Sequence, residues 1–345
     1  MPDPRKLIPV VVLAASFACA DAAQGQAREF KLDESGEFQE GERPAEGTDE
    51  AVIARARELI ATKRPSEARS ILSKWIDENA REDHPLLPEA YLLRGDAIMA
   101  GGNEYKALYD YEAVILQYPS SPEFVTALER EFDIARLYLN GLRRKFLGIR
   151  LENGGPIGEE LLVRIQERLP KSQLAESAAI ELADYYYRTR EMEMAAEMYG
   201  IFLVNFPESQ YRKKAMQRRI YSNIARFKGP RYNAAPLVEA QVLVEGFSQT
   251  YPLDAQAAGL NDALVARLDE SLAAQMLETA RWYLRQKDEA SARVTLQRLL
   301  REHPGTLAAS RGTDIMVDRG WLGVKPEVPA ENSGEDRGAA DAVGL

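Results

Sequence analysis

The sequence has few of the side chains that metal and thiol chemistry require. Its 345 residues include one cysteine, Cys19, and two histidines, His84 and His303. Each histidine directly precedes a proline, and neither has a second histidine or a cysteine at metal-binding spacing, so we interpret both as surface turn residues. A single cysteine also excludes an intramolecular disulfide and a thiolate metal cluster. The sequence therefore predicts no metal site and no cofactor.

Recognised catalytic motifs are also missing. The sequence contains no GxSxG elbow, no GxxxxGK[ST] phosphate loop and no GxGxxG segment that opens a helix. Carboxylates are plentiful, but they stand at helical spacing among lysines and arginines, which is typical of solvated helix faces. We therefore predict that the protein is not an enzyme.

The acidic excess lies mainly at the two ends of the chain. The net charge is −10, and residues 1–50 alone carry 5 basic and 11 acidic side chains. Residues 51–322 are nearly neutral, whereas a nucleic-acid-binding domain needs a net basic face. The charge distribution therefore gives no support to a nucleic-acid partner.

The N-terminus has the layout of a secretory signal. A basic pair, Arg5 and Lys6, precedes an apolar run from Leu7 to Ala18 and a stretch of small residues. The run is too short to span a membrane permanently. We predict a signal peptide over residues 1–22 and an exported protein.

Cys19 stands at the end of this apolar run, where bacterial lipoproteins are cleaved and acylated. The segment from Ser16 to Cys19 resembles a lipobox in Ala18, but Ser16 and the bulky Phe17 depart from the usual pattern. Ordinary cleavage after Ala22 would instead discard Cys19. Cys19 is therefore a lipidation candidate, and both outcomes stay open at this point.

Two polar segments flank the apolar part of the chain. Residues 23–50 and 323–345 are rich in acidic residues and contain few large aliphatic ones. Such segments cannot bury enough apolar surface to offset the entropy lost on ordering. We predict a disordered acidic stalk over 23–50, a disordered acidic tail over 323–345 and a folded region over 51–322.

Residues 51–322 contain a repeat marked by small residues and prolines. A small residue is followed by a bulky apolar residue three positions later, alanine twelve later, a bulky residue sixteen later and proline twenty-four later. The three gapless copies are Gly95, Ile98, Ala107, Tyr111, Pro119; Ala183, Tyr186, Ala195, Tyr199, Pro207; and Ala280, Tyr283, Ala292, Leu296, Pro304. Partial copies begin at Ala56, Gly158 and Ala240, so we count about six helix pairs.

The spacing has a physical cause. Two antiparallel helices approach closely only where both present small side chains, and proline ends a helix because it has no amide donor. Each pair leaves one apolar face that the next pair must cover. The pattern predicts an all-α tetratricopeptide-repeat (TPR) α-solenoid with a concave groove.

The groove should be lined by first-helix residues on the side away from the small crossing residue. A concave surface with charged and aromatic side chains suits an extended peptide or a partner's helix. The partner-groove candidates are Leu92, Asp96, Met99, Asp184, Tyr187, Arg188, Arg281 and Arg285.

Two basic clusters stand apart from this pattern. We interpret Arg212–Lys214, with Arg218 and Arg219, as a solvated helix face. The other lies in an expected loop between Leu142 and Ile149, where apolar residues flank the cations, and such a loop suits contact with a partner or with lipid headgroups. The loop contact candidates are Arg143, Arg144, Lys145, Phe146 and Leu147.

Residues 88–303 resemble the BamD (ComL) family of outer-membrane β-barrel assembly lipoproteins. The resemblance rests on the phrase Asn205–Tyr211 (NFPESQY) and on a lengthened inter-helix loop, Phe227–Tyr232. It implies a lipid-anchored scaffold at the periplasmic face of the outer membrane, whose partners are an assembly-complex component or extended client peptides. The extra repeat at 51–80 and the insertion at 142–149 depart from the family.

Other exported repeat proteins, such as the cell-division coordinator family, share this sequence texture. A soluble periplasmic TPR adaptor for cell-envelope or cell-division machinery is therefore the alternative, and a non-catalytic subunit of an enzyme complex is a third possibility. Lipid on Cys19 separates the first hypothesis from the second. Co-purification with a barrel protein or with a hydrolase separates the first from the third.

Overall fold

The computed structural model describes residues 30–32, 38–40, 44–81 and 83–322. Within these ranges the protein forms fourteen helices and two short antiparallel strand pairs. Cys19, the signal peptide predicted at 1–22 and the tail predicted at 323–345 lie outside the described residues. Among the described helices, none is both long enough and apolar enough to cross a membrane.

The chain divides into two compact units, Met1–Leu128 and Glu129–Leu345. The first unit holds two strands and four complete helices, and α5 runs across the division. Its elements are β1 (Phe30–Leu32), β2 (Phe38–Glu40), α1 (Asp49–Ala61), α2 (Pro65–Asn79), α3 (Leu87–Ala100), α4 (Glu104–Gln117) and α5 (Glu123–Leu139).

The second unit holds a strand pair followed by nine helices among its described residues. These elements are β3 (Arg143–Phe146), β4 (Ile149–Asn153), α6 (Gly155–Arg168), α7 (Gln173–Arg188), α8 (Met192–Asn205), α9 (Arg212–Arg226), α10 (Ala235–Thr250), α11 (Pro252–Ala257), α12 (Asp262–Arg285), α13 (Glu289–Glu302) and α14 (Leu307–Asp318).

Prolines and capping side chains set the helix ends. Five helices end two residues before the prolines of the repeat pattern, as predicted; they are α4, α6, α8, α10 and α13. At the other ends, a side-chain oxygen accepts a hydrogen bond from a backbone amide in the first turn, which otherwise has no partner. The residues that cap in this way are Thr48, Asn103, Ser172, Asn261, Asp288 and Thr306.

The small residues of the repeat lie where paired helices cross. Ala107, Ala183 and Ala195 have no exposed surface. A Cβ atom placed on Gly95 would lie 2.5 Å from Cε1 of Tyr111, so nothing larger than hydrogen fits there. The close approach inferred from the spacing is therefore present, and the all-α TPR fold is confirmed.

The insertion expected to be a loop is a β-hairpin. β3 and β4 pair antiparallel, with Phe146 opposite Ile149 and an irregularity between Arg144 and Lys145. The two turn residues, Leu147 and Gly148, have φ angles of 49° and 85°. Positive φ at both central positions matches the right-handed twist of the strands, so this turn favours a hairpin. The sequence prediction missed it because leucine is an unusual residue at the first of these positions.

The segment 23–50, predicted to be a disordered stalk, contains ordered elements in its described residues. β1 pairs antiparallel with β2, with Lys31 opposite Gln39. The first helix begins at Asp49, where Thr48 supplies the cap. A composition argument averages over the whole segment and misses short elements of this kind.

Candidate functional site

The groove candidates of the first unit have different environments. Leu92 is buried, so it belongs to the core, and its assignment to the groove is corrected. Asp96 is half-buried and accepts a hydrogen bond from the hydroxyl of Tyr111 at 2.8 Å. Met99 is also half-buried. Leu92 belongs to a helix that packs against both α2 and α4.

Asp184 is buried and holds three helices of the second unit together. On α7, it accepts a hydrogen bond from the hydroxyl of Tyr199 on α8 at 2.5 Å. It also forms ion pairs with Lys214 and Arg218 of α9. The assignment of Asp184 to the groove surface is therefore corrected: its carboxylate is occupied by neighbours from two other helices.

Tyrosines beside this network are held in the neutral form. Burial strongly raises the pKa of Tyr199, and its hydrogen bond to Asp184 raises the pKa further. Burial likewise raises the pKa of Tyr186, which donates to Glu159 at 2.5 Å. Both hydroxyls act as hydrogen-bond donors between helices.

The cluster at Arg212–Lys214, Arg218 and Arg219 is more than a solvated face. Lys214 and Arg218 pair with Asp184, and Arg219 donates to Glu239 of α10 at 2.5 Å. The interpretation as a solvated face is thus wrong for these three side chains. They join α9 to α7 and α10.

Tyr187 and Arg188, also on α7, keep part of their surface. The Tyr187 ring meets Tyr199 edge-on, with centroids 6.3 Å apart, and the Arg218 guanidinium lies 5.1 Å from its centroid. Arg188 is exposed and donates to Glu181 at 3.3 Å and to Asn140 at 3.4 Å. These two residues remain accessible to a partner.

Arg281 and Arg285 lie on α12. Arg281 pairs with Glu278 at 2.8 Å, and Arg285 lines a pocket of about 240 Å³ beside the half-exposed ring of Trp282. Arg231, from the lengthened loop between α9 and α10, also lines this pocket. The pocket thus has an aromatic ring and two guanidinium groups in its lining, which suits small contacts with a peptide.

A larger concave surface, which the sequence analysis missed, lies along α8, α9 and α10. We call it the α8–α10 cleft; its volume is about 580 Å³. Its residues are Glu193, Ala196, Glu197, Gly200, Ile201, Val204, Asn205, Arg219, Arg226 and Glu239. Ile201 and Val204 are 43% and 78% exposed, which is high for branched aliphatic side chains on a packed helix.

Ion pairs form the sides of the α8–α10 cleft. Arg219 pairs with Glu239, and Arg226 donates to Glu193 at 3.2 Å. Gly200 leaves room beside α8, since a Cβ there would lie 3.3 Å from the Arg219 guanidinium carbon. The cleft lining thus combines exposed apolar side chains with paired charges of both signs.

One sequence signal could have revealed the cleft. Gly200 to Val204 is an unbroken run of glycine and apolar residues, longer than one buried helix face requires. Phe202 enters the core, so Ile201 and Val204 must face elsewhere. The neighbouring helices decide whether Ile201 and Val204 are covered. The sequence of the run does not show how those helices pack.

Within the described residues, no group of three or more histidine, cysteine, aspartate or glutamate side chains could hold a metal ion. The two histidines have structural partners. His303 is buried and its Nδ1 lies 2.6 Å from Asp269, which corrects its interpretation as a surface residue. His84 is half-buried, 3.4 Å from Asp49 and edge-on to Trp75.

The loop contact candidates lie on the β3–β4 hairpin. Arg143 and Leu147 are exposed, whereas Arg144 and Lys145 are half-buried. Arg144 pairs with Glu152 across the strands at 3.2 Å. Phe146 pairs with Ile149 in the strand register. The hairpin and the α8–α10 cleft are therefore two separate candidate surfaces.

The helix pairs, their small crossing residues and their proline stops define a TPR protein. Residues 89–121, which contain the first gapless copy, match the tetratricopeptide-repeat family. Residues 159–323 match the YfiO family, described as an outer membrane lipoprotein. This second match covers slightly less than half of the chain and includes the α8–α10 cleft. The chain is a BamD-like TPR protein, and the resemblance found in the sequence is confirmed.

Two solved structures show a distant similarity. One is the C-terminal part of a TPR repeat-containing protein from Cytophaga hutchinsonii, with 14% identity and a TM-score of 0.38, covering 77% of this chain and 88% of that one. The other is a signal transduction ATPase with a TPR sensor from Pyrococcus horikoshii, with 16% identity and a TM-score of 0.32, covering 78% and 37%. No curated protein sequence matches the chain.

Proposed function

We propose that the protein is an exported scaffold that assists the assembly and insertion of outer-membrane β-barrel proteins by binding another protein in the α8–α10 cleft. The observation that carries the proposal is the match of residues 159–323 to an outer membrane lipoprotein family, since this region contains the whole cleft. TPR repeats and this family are non-catalytic interaction scaffolds. Binding, rather than chemistry, is the activity that such a surface supports.

The chemistry of the cleft indicates the kind of segment that it binds. Ile201 and Val204 offer an apolar strip, so the bound segment needs an apolar face of similar length. The pairs Arg219–Glu239 and Arg226–Glu193 also line the cleft, and charges at a binding surface set specificity and orientation more than affinity. An amphipathic helix or an extended segment with flanking charges meets both conditions.

Anchorage is the second part of the proposal. A lipid on Cys19 would hold the chain at the periplasmic face of the outer membrane, near newly exported barrel proteins. The alternative, a soluble periplasmic adaptor for cell-envelope or cell-division machinery, requires Cys19 to be removed with the signal peptide. The two proposals therefore differ in the mature N-terminus.

The intact mass of the mature protein and its cell fraction test the anchorage. An acylated N-terminal Cys19 in the outer-membrane fraction supports the assembly lipoprotein. An unmodified N-terminus beyond Cys19 in the soluble periplasm contradicts it and favours the adaptor.

Affinity capture with a cleft variant tests the binding surface. Val204→Glu places a charge among the apolar side chains of the cleft and should lower the recovery of a barrel-assembly component at least tenfold. Leu253→Glu is the matched control, because Leu253 is 82% exposed and lies outside the cleft. Both changes should leave the helical circular dichroism and melting temperature nearly unchanged, because both sites are exposed. Equal recovery with both variants would remove the cleft from the proposal.

A further inference from the structure

The β3–β4 hairpin presents its apolar side to solvent. Ile149 and Leu151 are 62% and 57% exposed, whereas Arg150 and Glu152, which alternate with them along β4, are half-buried. In a sheet with one solvated face, the polar residues normally face water and the apolar ones face the core. The hairpin has the opposite arrangement, so its outer face is suited to contact with something other than water.

The tip of the hairpin extends this apolar face. Leu147 is 88% exposed. It also has a φ of 49°, in the left-handed region that disfavours residues with a Cβ. Asparagine, aspartate or glycine would suit this turn position better. A leucine here contributes neither to the core nor to the turn, so its side chain is most simply explained by an external contact.

The charge of the hairpin identifies the contact. Residues 143–153 carry four cations, Arg143, Arg144, Lys145 and Arg150, and one carboxylate, Glu152, in a chain of net charge −10. Two of the cations have partners within the hairpin: Arg144 lies 3.2 Å from Glu152, and Arg150 donates to the carbonyl oxygen of Arg143 at 2.9 Å. The segment is still net positive, so it is attracted to an anionic surface.

We infer that the hairpin docks on the surface of an anionic lipid bilayer, with Leu147, Ile149 and Leu151 entering the headgroup region and with Arg143 and Lys145 near the lipid phosphates. A bilayer offers apolar depth and negative charge together, which are the two properties that the hairpin complements. This contact is independent of the proposed scaffold function, since it uses neither Cys19 nor the α8–α10 cleft. It would fix the orientation of the second unit at a membrane.

Vesicle flotation tests the inference with the full chain carrying Cys19→Ser, which removes any lipid anchor. On vesicles of equal parts phosphatidylglycerol and phosphatidylcholine, Leu147→Ser should weaken binding about tenfold, the effect of one leucine side chain leaving an apolar site. Leu253→Ser is the matched control, since Leu253 is 82% exposed and lies on a helix, and it should change nothing. Equal losses from both variants would overturn the inference.

The charge contribution is measured separately. Arg143→Gln with Lys145→Gln should weaken binding to the anionic vesicles by roughly fivefold per cation removed, and it should have little effect on pure phosphatidylcholine. The loss should diminish as salt is raised, because exposed charges are screened. The same loss on both kinds of vesicle would contradict a contact with anionic headgroups.

Insertion depth distinguishes lipid from a protein occupant. Vesicles with brominated acyl chains should quench the fluorescence of a tryptophan introduced by Leu147→Trp, and they should not quench that of a tryptophan introduced by Leu253→Trp. Absence of quenching at position 147 would exclude the bilayer. Sedimentation without vesicles tests the other occupant. A dimer that Leu147→Ser dissociates would also exclude the bilayer, because the hairpin would then bind a second copy of the chain.

Discussion

Tyr199 of α8 donates its hydroxyl hydrogen to Asp184 of α7 at 2.5 Å, fifteen residues earlier in the chain. Tyr111 makes the same bond to Asp96, also fifteen residues earlier, at 2.8 Å. In the third gapless copy of the repeat, arginine and leucine stand at the corresponding positions, so donor and acceptor are replaced together. Two of the three gapless copies therefore have this tyrosine–aspartate bond. All three have the helix crossing at small residues.

Tyr199→Phe should lower the free energy of unfolding by about 1 to 2 kcal/mol, because it removes a donor from the buried Asp184 carboxylate. Urea unfolding followed by circular dichroism measures the change. Tyr232→Phe is the control: Tyr232 is 57% exposed, so the change should stay within about 0.5 kcal/mol. A loss no larger than that of the control would show that Lys214 and Arg218 alone satisfy Asp184.

The buried tyrosines make the fold sensitive to alkali. Burial raises the pKa of Tyr199 well above its ordinary value of about 10, so the folded protein holds this proton more tightly than the unfolded chain. The stability that results is fully present below about pH 10 and is lost as the pH rises above that value.

Unfolding free energy should therefore fall more steeply above pH 10 in the wild type than in Tyr199→Phe, by about 1.4 kcal/mol per pH unit. The ultraviolet absorbance of the phenolate should show that Tyr199 loses its proton only when the protein unfolds. Parallel slopes in the two proteins, or reversible titration of every tyrosine in the folded state, would contradict this account.

Two helical glycines should respond in opposite directions to alanine. A Cβ on Gly158 of α6 would lie 2.8 Å from Cγ of Leu139 and 2.9 Å from the carbonyl oxygen of Ala135. Gly158→Ala should therefore destabilise the protein by about 1 to 3 kcal/mol.

Gly246 of α10 is the matched control, since a Cβ there would meet no atom within 4 Å. Gly246→Ala should stabilise the protein by about 0.5 to 1 kcal/mol, because alanine has the higher helix propensity. Thermal melts of the two variants give the comparison directly. If both variants raised the melting temperature, helix propensity alone would explain the result, and a close crossing at Gly158 would be contradicted.

The repeats could be predicted from the sequence because their determinants are local. The spacing of Gly95, Ala107 and Pro119 specifies two helices, their crossing and their end within one stretch of chain. The positions at which helices end, just before the prolines, could be predicted for the same reason. Patterns that a single helix pair determines are readable without knowledge of the rest of the fold.

The candidate sites depended on more distant contacts and were predicted less well. Asp184 looked like a groove residue because its partners, Lys214 and Arg218, come thirty or more residues later. Val204 was not among the groove candidates, although it is 78% exposed and lines the cleft. The sequence shows which side chains are apolar or charged, but the packing of later helices decides which of them stay accessible.

The central claim is that the α8–α10 cleft binds a component of outer-membrane β-barrel assembly. Photo-crosslinking in intact cells tests it most directly, with benzoylphenylalanine at position 204 and, as the control, at position 253, since both side chains are highly exposed. The account predicts an adduct at position 204 that mass spectrometry identifies as a barrel-assembly component, with no such adduct at 253. An adduct with a cell-division or cell-wall protein, or no adduct specific to position 204, would contradict it.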